Sequence, residues 1–191
     1  EDGWREHSSS DVARVFAKAG YHDERTDFDL SFIGANNTLN GTQALPLSML
    51  DQPRQAYTWP DRTYNQLAFV NARVSRFVSN TLLVSGNAYY RDLRTSGFFS
   101  NVNDDFDALL PAGAGNSEGY NVANQTDQSM WGGALQLTHT GPLAGRGNQV
   151  SFGVAADLAE TNFVQTQQEA LFTADRGTAG FGPFTLITAV N

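Results

Sequence analysis

The stretch NQLAFVNARVSRFVSNTLLVSGNAYYRD, residues 65–92, decides the fold. Apolar residues alternate with mostly polar ones along both of its arms: Ala68, Val70, Ala72 and Val74 in the first, and Leu82, Val84, Gly86, Ala88 and Tyr90 in the second. A period of two predicts strands. Facing residues of an antiparallel pair share a face, and the register that satisfies this sets Ala72 opposite Ala88, Val74 opposite Gly86 and Val78 opposite Leu82. We expect a β-hairpin with arms of about ten residues, long enough to cross a bilayer at a tilt.

This register leaves Ser79, Asn80 and Thr81 as a three-residue turn. Asparagine tolerates a positive φ, so Asn80 is expected in the left-handed position of that turn. The alternation alone fits a membrane barrel and a soluble all-β domain equally well.

Composition excludes several classes of protein. The chain has 191 residues, a net charge of -8 and no cysteine, which argues against a nucleic-acid partner and leaves no disulfide, thiolate zinc site or thiol nucleophile. No apolar run approaches the roughly 18 residues of a membrane helix, and the N-terminal EDGWREHSSS lacks signal-peptide character. Either the protein is soluble, or it meets a membrane through strands, or an N-terminal part is missing.

Two further hairpins are predicted. Residues 8–21 fit a helix or a strand, but Phe28, Leu30 and Phe32 alternate with polar residues beyond the polar turn HDERTD, so a hairpin is the simpler account. The third pair joins Trp131, Leu135 and Leu137 across GPLAGRGN to a second alternating apolar set: Val150, Phe152, Val154, Ala156 and Leu158.

The connections between these strands alternate in length. Short turns join the hairpin arms, whereas residues 36–64 and 93–128 are long, rich in Asn, Asp, Pro and Gly, and without periodicity. Residues 160–191 are weakly patterned. Outer-membrane barrels sort their connections in this way, with short turns on one side and long loops on the other. The predicted fold is therefore an all-β, antiparallel up-and-down meander forming a section of a transmembrane β-barrel.

The aromatic residues agree with this assignment. Many lie at or beyond the long-loop ends of strands, as an interfacial girdle or a ligand-contacting loop requires: Trp4, Tyr57, Trp59, Tyr64, Tyr90, Phe98, Phe99 and Trp131.

Several short motifs, in their order and spacing, resemble the barrel of TonB-dependent outer-membrane receptors. They are Asp2-Gly3-Trp4-Arg5 followed by His7, Gly41 with Ala44-Leu45-Pro46, Pro60-Asp61 ahead of Asn65, and the strand end Tyr89-Tyr90-Arg91. The resemblance covers residues 1 to about 158. It implies a barrel of about 22 strands filled by a plug domain, with uptake of a scarce nutrient such as a ferric siderophore driven through TonB.

The sequence departs from the whole family pattern. It shows no plug domain, no TonB-interacting box and no terminal strand ending in an aromatic residue, and six or so strands cannot close so wide a barrel. Residues 1–191 are therefore expected to be an internal section of a receptor barrel. The expected partners are outer-membrane lipid, the plug domain of the parent receptor, TonB and a small nutrient ligand, and the expected location is the bacterial outer membrane.

Two sets of side chains are candidates for function, and neither is catalytic. Asn71, Arg73, Asn87 and Arg91 form the polar set of the central hairpin and are predicted to face the lumen. Arg54, Tyr57, Trp59 and Arg62 combine cations with aromatic rings in the first long loop, which suits an anionic or aromatic ligand.

Other chemistry has little support. No Gly-x-Ser-x-Gly motif or phosphate-binding glycine loop occurs, so we expect neither an enzyme nor a cofactor. Between Asn101 and Asp107 oxygen donors alternate as in a calcium loop, but the sixth-position glycine and twelfth-position glutamate are missing, so no metal site is assigned. Two other functions stay open: a secreted soluble β-sandwich that binds carbohydrate, and a porin without a plug.

Overall fold

The computed structural model describes residues 2–41 and 43–191, which form one antiparallel sheet. The strands are β1 (Ser10–His22), β2 (Thr26–Asn40), β3 (Asp61–Phe77), β4 (Leu82–Val102), β5 (Gly119–His139), β6 (Val150–Phe172), β7 (Thr178–Gly180) and β8 (Thr185–Val190). Neighbours in sequence pair in the order β1 to β7, and β8 pairs with β6. The all-β up-and-down meander is confirmed, and in the described residues the sheet does not close into a barrel.

Helical structure is nearly absent from the described residues. The one helix there is a three-residue 3-10 turn, Leu47–Met49, and no helix in the described ranges is long and apolar enough to span a membrane.

The ambiguous N-terminal segment is a strand. β1 pairs with β2 along its whole length, from Ser10 opposite Leu39 to His22 opposite Asp27. The turn between them is held by Asp23, whose Oδ1 accepts the N–H groups of Arg25 at 2.8 Å and Thr26 at 2.7 Å. A carboxylate that satisfies two turn amides favours the reversal over a continuing strand or helix.

The central hairpin has the predicted register. Val74 lies opposite Gly86 and Ala72 opposite Ala88, and the Val78 N–H donates to the Leu82 carbonyl at 3.0 Å. The predicted left-handed conformation of Asn80 is wrong, since this residue does not have a positive φ. Ser79 holds the turn instead, because its hydroxyl accepts the N–H of Leu82 at 3.1 Å.

The strands extend well past their predicted ends, so the long connections are shorter than predicted. They cover residues 41–60 rather than 36–64, and 103–118 rather than 93–128. In the added segments both faces are polar or mixed, which removes the alternation that marks a strand in the sequence. The backbone ladder continues there regardless, because it needs only paired N–H and C=O groups.

The sheet is a single layer with one apolar face. That face leaves large hydrophobic side chains exposed; Val70 is 39% exposed, Leu135 51% and Val154 59%. Within the described residues the buried hydrophobic side chains are Ala56, Val122 and Ala170, all at the long-loop end of the sheet. No second layer of the described chain covers the apolar face.

The Asp23 turn gives the β1–β2 hairpin a pH dependence. Hydrogen bonds from the N–H of Arg25 and from the Tyr21 hydroxyl lower the pKa of Asp23. A carboxyl whose folded pKa lies below its unfolded value, about 3.9, stabilises the fold above that value and loses this effect as pH falls through the folded pKa. Asp23→Ala should therefore lower the free energy of unfolding at pH 7, and the difference from wild type should shrink in acid, measured by denaturant titration at each pH.

Asp23→Asn is the matched control for this turn. Its side-chain oxygen still accepts the two backbone N–H groups but does not titrate. Equal acid sensitivity of Asp23→Asn and wild type would show that the Asp23 charge contributes nothing to the hairpin.

Candidate functional site

The four residues predicted to face a lumen share the polar face of the sheet. Arg73 lies directly opposite Asn87, Asn71 opposite Tyr89, and Arg91 opposite Phe69. Strand alternation sends all of them to the face opposite Val70 and Val74. The structure brings these four side chains into three neighbouring rows of β3 and β4, and their exposure to a lumen stays a prediction.

This polar face is linked by hydrogen bonds across β4, β5 and β6. Arg91 Nη2 donates to Gln128 Oε1, and Gln128 Nε2 donates to Thr161 Oγ1 at 3.0 Å. The Tyr89 hydroxyl donates to Asp157 Oδ1 at 2.5 Å. These contacts orient side chains that no local sequence pattern singles out, because their partners lie 33 to 68 positions away.

A shallow depression on the same face has a volume of about 270 Å³. Its polar lining comes from three strands: Arg73, Ser75, Ser85, Asn87 and Gln136. A guanidinium among hydroxyls and amides offers hydrogen-bond donors to an anionic or carbonyl-bearing group.

Tyr57 and Trp59, from the predicted ligand-binding set, meet Arg176 at the long-loop end of the sheet. Arg176 Nε donates to the Tyr57 carbonyl at 2.5 Å, and its guanidinium lies 4.8 Å from the centre of the Tyr57 ring. Trp59 Nε1 donates to the Asp175 carbonyl at 2.9 Å. We call these side chains, together with His7, the loop cluster.

His7 brings the segment before β1 into the loop cluster. Its imidazole stacks on the Trp59 ring with 4.1 Å between centroids and 9° between planes. The adjacent Glu6 N–H donates to the Arg54 carbonyl at 2.8 Å. Two segments that are distant in sequence, residues 4–8 and 173–178, therefore hold residues 54–60 of the first long loop.

The other two residues of the predicted ligand set do not join this cluster through their side chains. Arg54 is exposed and contributes its backbone carbonyl. Arg62 Nε donates to Asn40 Oδ1 at 2.9 Å and its Nη1 to the Tyr64 hydroxyl at 3.0 Å. Alternation sets Arg62 on the face of Val70, so it is directed away from the polar face.

Buried hydroxyl and amide groups support the loop cluster from below. Thr58 Oγ1 donates to the Ser100 carbonyl at 2.6 Å, and the Ser100 and Thr178 hydroxyls lie 2.6 Å apart. Thr178 also bonds Asn121 Oδ1 at 2.6 Å. Thr58 and Ser100 are fully buried, so these bonds satisfy polar groups that would otherwise be costly to bury.

Two carboxyl groups near the loops have shifted pKa values. The Thr173 hydroxyl, 2.5 Å from Asp175 Oδ1, lowers the pKa of Asp175. Partial burial raises the pKa of Asp61 at the start of β3.

The remaining candidates are engaged locally. Asn103 Oδ1 accepts the Asp105 N–H at 3.0 Å and Asp107 Oδ1 the Leu109 N–H at 2.9 Å, so these oxygens of the calcium-like stretch serve turns. His22 Nδ1 lies 2.5 Å from Asp27 Oδ1 across the β1–β2 pair. Within the described ranges no three acidic or histidine side chains converge as a metal-ligand set.

Sequence reasoning singled out Tyr57 and Trp59 as candidates but did not predict their contacts with Arg176, Asp175 and His7. Residues 173–178 lie in the weakly patterned part of the chain, which gave no signal for their contact with a loop more than a hundred positions earlier. A comparison with models of known protein families and with curated proteins finds no match to this chain.

Arg176 is expected to hold the first long loop in place. Arg176 has φ 66°, so Arg176→Gly removes the side chain while leaving a residue that accepts this backbone conformation. Losing a charged hydrogen bond of about 1.5–3 kcal/mol, reduced because the contact is partly exposed, should weaken amide hydrogen-exchange protection of Trp59 and Thr178 by roughly tenfold.

Ala144→Gly is the matched control, since Ala144 also has a positive φ of 50° and lies at the short-turn end of the sheet. It should leave the exchange of the loop amides unchanged. Equal protection in Arg176→Gly and wild type would mean that the loop is held by its backbone contacts alone.

Proposed function

We propose that this chain is a section of a bacterial outer-membrane transport barrel of the TonB-dependent receptor class, acting in the uptake of a scarce nutrient. The observation that carries the proposal is the single-layer sheet whose apolar face is exposed while its other face is polar. A soluble protein rarely exposes a contiguous apolar patch larger than a few hundred Å². In hydrocarbon the same face is favourably solvated.

The distribution of the connections supports the same proposal. The two long loops, residues 41–60 and 103–118, lie at one end of the sheet together with the five-residue connection 173–177. The turns 23–25 and 78–81 lie at the other end together with the ten-residue connection 140–149. In an outer-membrane barrel the short turns face the periplasm and the long loops face outside. We therefore assign the loop cluster to the outer surface.

The edges of the sheet support a barrel that includes further strands. β1 pairs on one side only, and β6 lacks a second partner from Val150 to Asn162 in the described structure. Unpaired backbone groups are not tolerated in hydrocarbon, where each costs several kcal/mol. We propose that further strands of a parent receptor complete the ladder and that its plug domain occupies the lumen beside Asn71, Arg73, Asn87 and Arg91.

Nutrient capture is proposed for the outer loops. Tyr57 and Trp59 are partly exposed on a loop that is held on both sides, and Arg54 and Arg62 are exposed cations nearby in sequence. Cations with aromatic faces suit an anionic aromatic ligand such as a catecholate iron complex.

A carbohydrate-binding β-sandwich is a weaker proposal, because it needs a second sheet to cover the apolar face. A porin without a plug has the same strand pattern. Upstream sequence containing a plug domain and a TonB box would favour the receptor over the porin.

Arginine substitutions on neighbouring residues of β6 test the membrane assignment. Val154 lies on the apolar face and Ala155 on the polar face, and both are exposed. In lipid vesicles Val154→Arg should lower the free energy of unfolding by about 2–4 kcal/mol, whereas Ala155→Arg should cost less than about 1 kcal/mol. Denaturant titration of the full-length protein in vesicles measures both values.

If water rather than lipid contacts the apolar face, Val154→Arg should not lower the free energy of unfolding. A detergent-free, monodisperse protein in which Val154→Arg is neutral would contradict the membrane proposal.

The capture proposal is tested by replacing Arg54, Tyr57, Trp59 and Arg62 together by alanine in the full-length receptor. Ligand affinity and uptake should fall at least tenfold, because the cationic and aromatic contacts are removed together. The control replaces Arg25 and Arg76, at the short-turn end, by alanine. Unchanged uptake and affinity in the fourfold variant would rule out this loop as the ligand site.

A further inference from the structure

The apolar face is bounded by two borders that run obliquely across the strands. Residues paired across the sheet define rows, and three successive rows of this face are apolar on every strand from β1 to β6. The first of these rows contains Tyr21, Phe28, Val74, Gly86, Leu135 and Val154, and the third contains Ala17, Phe32, Val70, Tyr90, Trp131 and Leu158.

The next row toward the long loops changes character halfway across the sheet. It is apolar on β1, β2 and β3, where it contains Val15, Gly34 and Ala68. It is polar on β4, β5 and β6, where it contains Asp92, Ser129 and Glu160.

The next row toward the short turns changes in the opposite sense. It is polar on β2 and β3, with Thr26 and Arg76, and apolar on β4, β5 and β6, with Val84, Leu137 and Phe152. Both borders therefore move toward the short turns between β1 and β6. The apolar span covers nine residues at both ends of this series, from Ala13 to Tyr21 on β1 and from Val150 to Leu158 on β6, and seven to nine residues on the strands between them.

From these borders we infer that the apolar face is a lipid belt of constant height, and that the bilayer plane cuts the strands obliquely rather than along the rows. Rows in an antiparallel sheet run perpendicular to the strands. An apolar patch that contacts no membrane is not required to have two parallel borders. The hydrocarbon core of a bilayer has two parallel boundaries, and they cross the strands obliquely whenever the strands are tilted.

The two borders give the tilt of the strands against the membrane normal and identify lipid as the partner of the apolar face. Each border shifts by two rows, or about four residues, over the five steps from β1 to β6. With a rise of about 3.3 Å per residue and strands about 4.8 Å apart, this shift corresponds to a strand tilt of about 30°. That tilt is close to the range found in membrane barrels. A span of seven to nine residues per strand is close to the roughly 9–11 residues of a tilted membrane-spanning strand. Tyr90 on β4 and Trp131 on β5 lie at the border nearer the long loops, where aromatic residues are expected to meet lipid headgroups.

This inference rests on the proposed membrane function and adds the depth of each residue. Within one row, residues on β1 and on β5 should lie at different depths, with a difference of about 10 Å between Val15 and Ser129, calculated from the same spacings. In the row at the opposite border Leu137 should lie deeper in the hydrocarbon than Thr26.

Spin labels on single cysteines test this assignment in the full-length protein, in a background free of other cysteines, reconstituted into lipid vesicles. This chain contributes no cysteine of its own. Labels at Val15→Cys and Leu137→Cys should collide with oxygen, which concentrates in hydrocarbon, and labels at Ser129→Cys and Thr26→Cys with a water-soluble nickel chelate. Ala72→Cys, in the middle row, should be the deepest.

The outcomes separate the inference from the proposed function. Equal depths within each row, with Ala72→Cys still in hydrocarbon, would overturn the oblique belt and leave the membrane assignment intact. Full nickel access at Ala72→Cys would overturn both. A label at Val15→Cys that lies deeper than one at Ser129→Cys, together with a label at Leu137→Cys that lies deeper than one at Thr26→Cys, would support both the oblique belt and the membrane assignment.

Discussion

The backbone ladder that joins β1 to β6 edge to edge is the interaction on which the rest of this structure depends. Every residue from Gly119 to His139 on β5 is paired on both sides, with β4 and with β6. The ladder satisfies backbone groups without any help from side chains. It therefore holds the strands in register although the described chain buries almost no hydrophobic core.

A sheet without a core leaves each face free to match its surroundings. The apolar face carries Phe, Leu, Val and Trp, whereas the polar face carries Arg73, Arg91 and a set of amides and hydroxyls. In water such an arrangement is unfavourable, because the exposed apolar area has no partner within the chain. In a bilayer the surrounding lipid takes the place of the missing second layer, which is the physical basis of the proposed function.

The long-loop end of the sheet is stabilised in a different way. There the strands continue beyond the apolar span, and stability comes from buried hydroxyl and amide groups such as Thr58, Ser100 and Asn121. Above these groups Trp59 lies between His7 and the backbone of residues 175–177. Loops held in this way present a preformed surface, which lowers the entropic cost of binding a small ligand.

The sequence alone determined the strand type, the hairpin register and the division into an apolar and a polar face, because all three follow from a period of two. It also identified Asn71, Arg73, Asn87 and Arg91 as one set. Only the tertiary structure decided how far the strands extend into mixed-polarity segments, that Ser79 rather than a left-handed Asn80 holds the central turn, and that Arg176 and His7 meet Tyr57 and Trp59. The physical reason is the sequence distance over which each feature is decided. Alternation is a local property that a few consecutive residues display. A strand ladder that continues through polar segments depends on distant partners that no local pattern specifies, and so do contacts between distant loops.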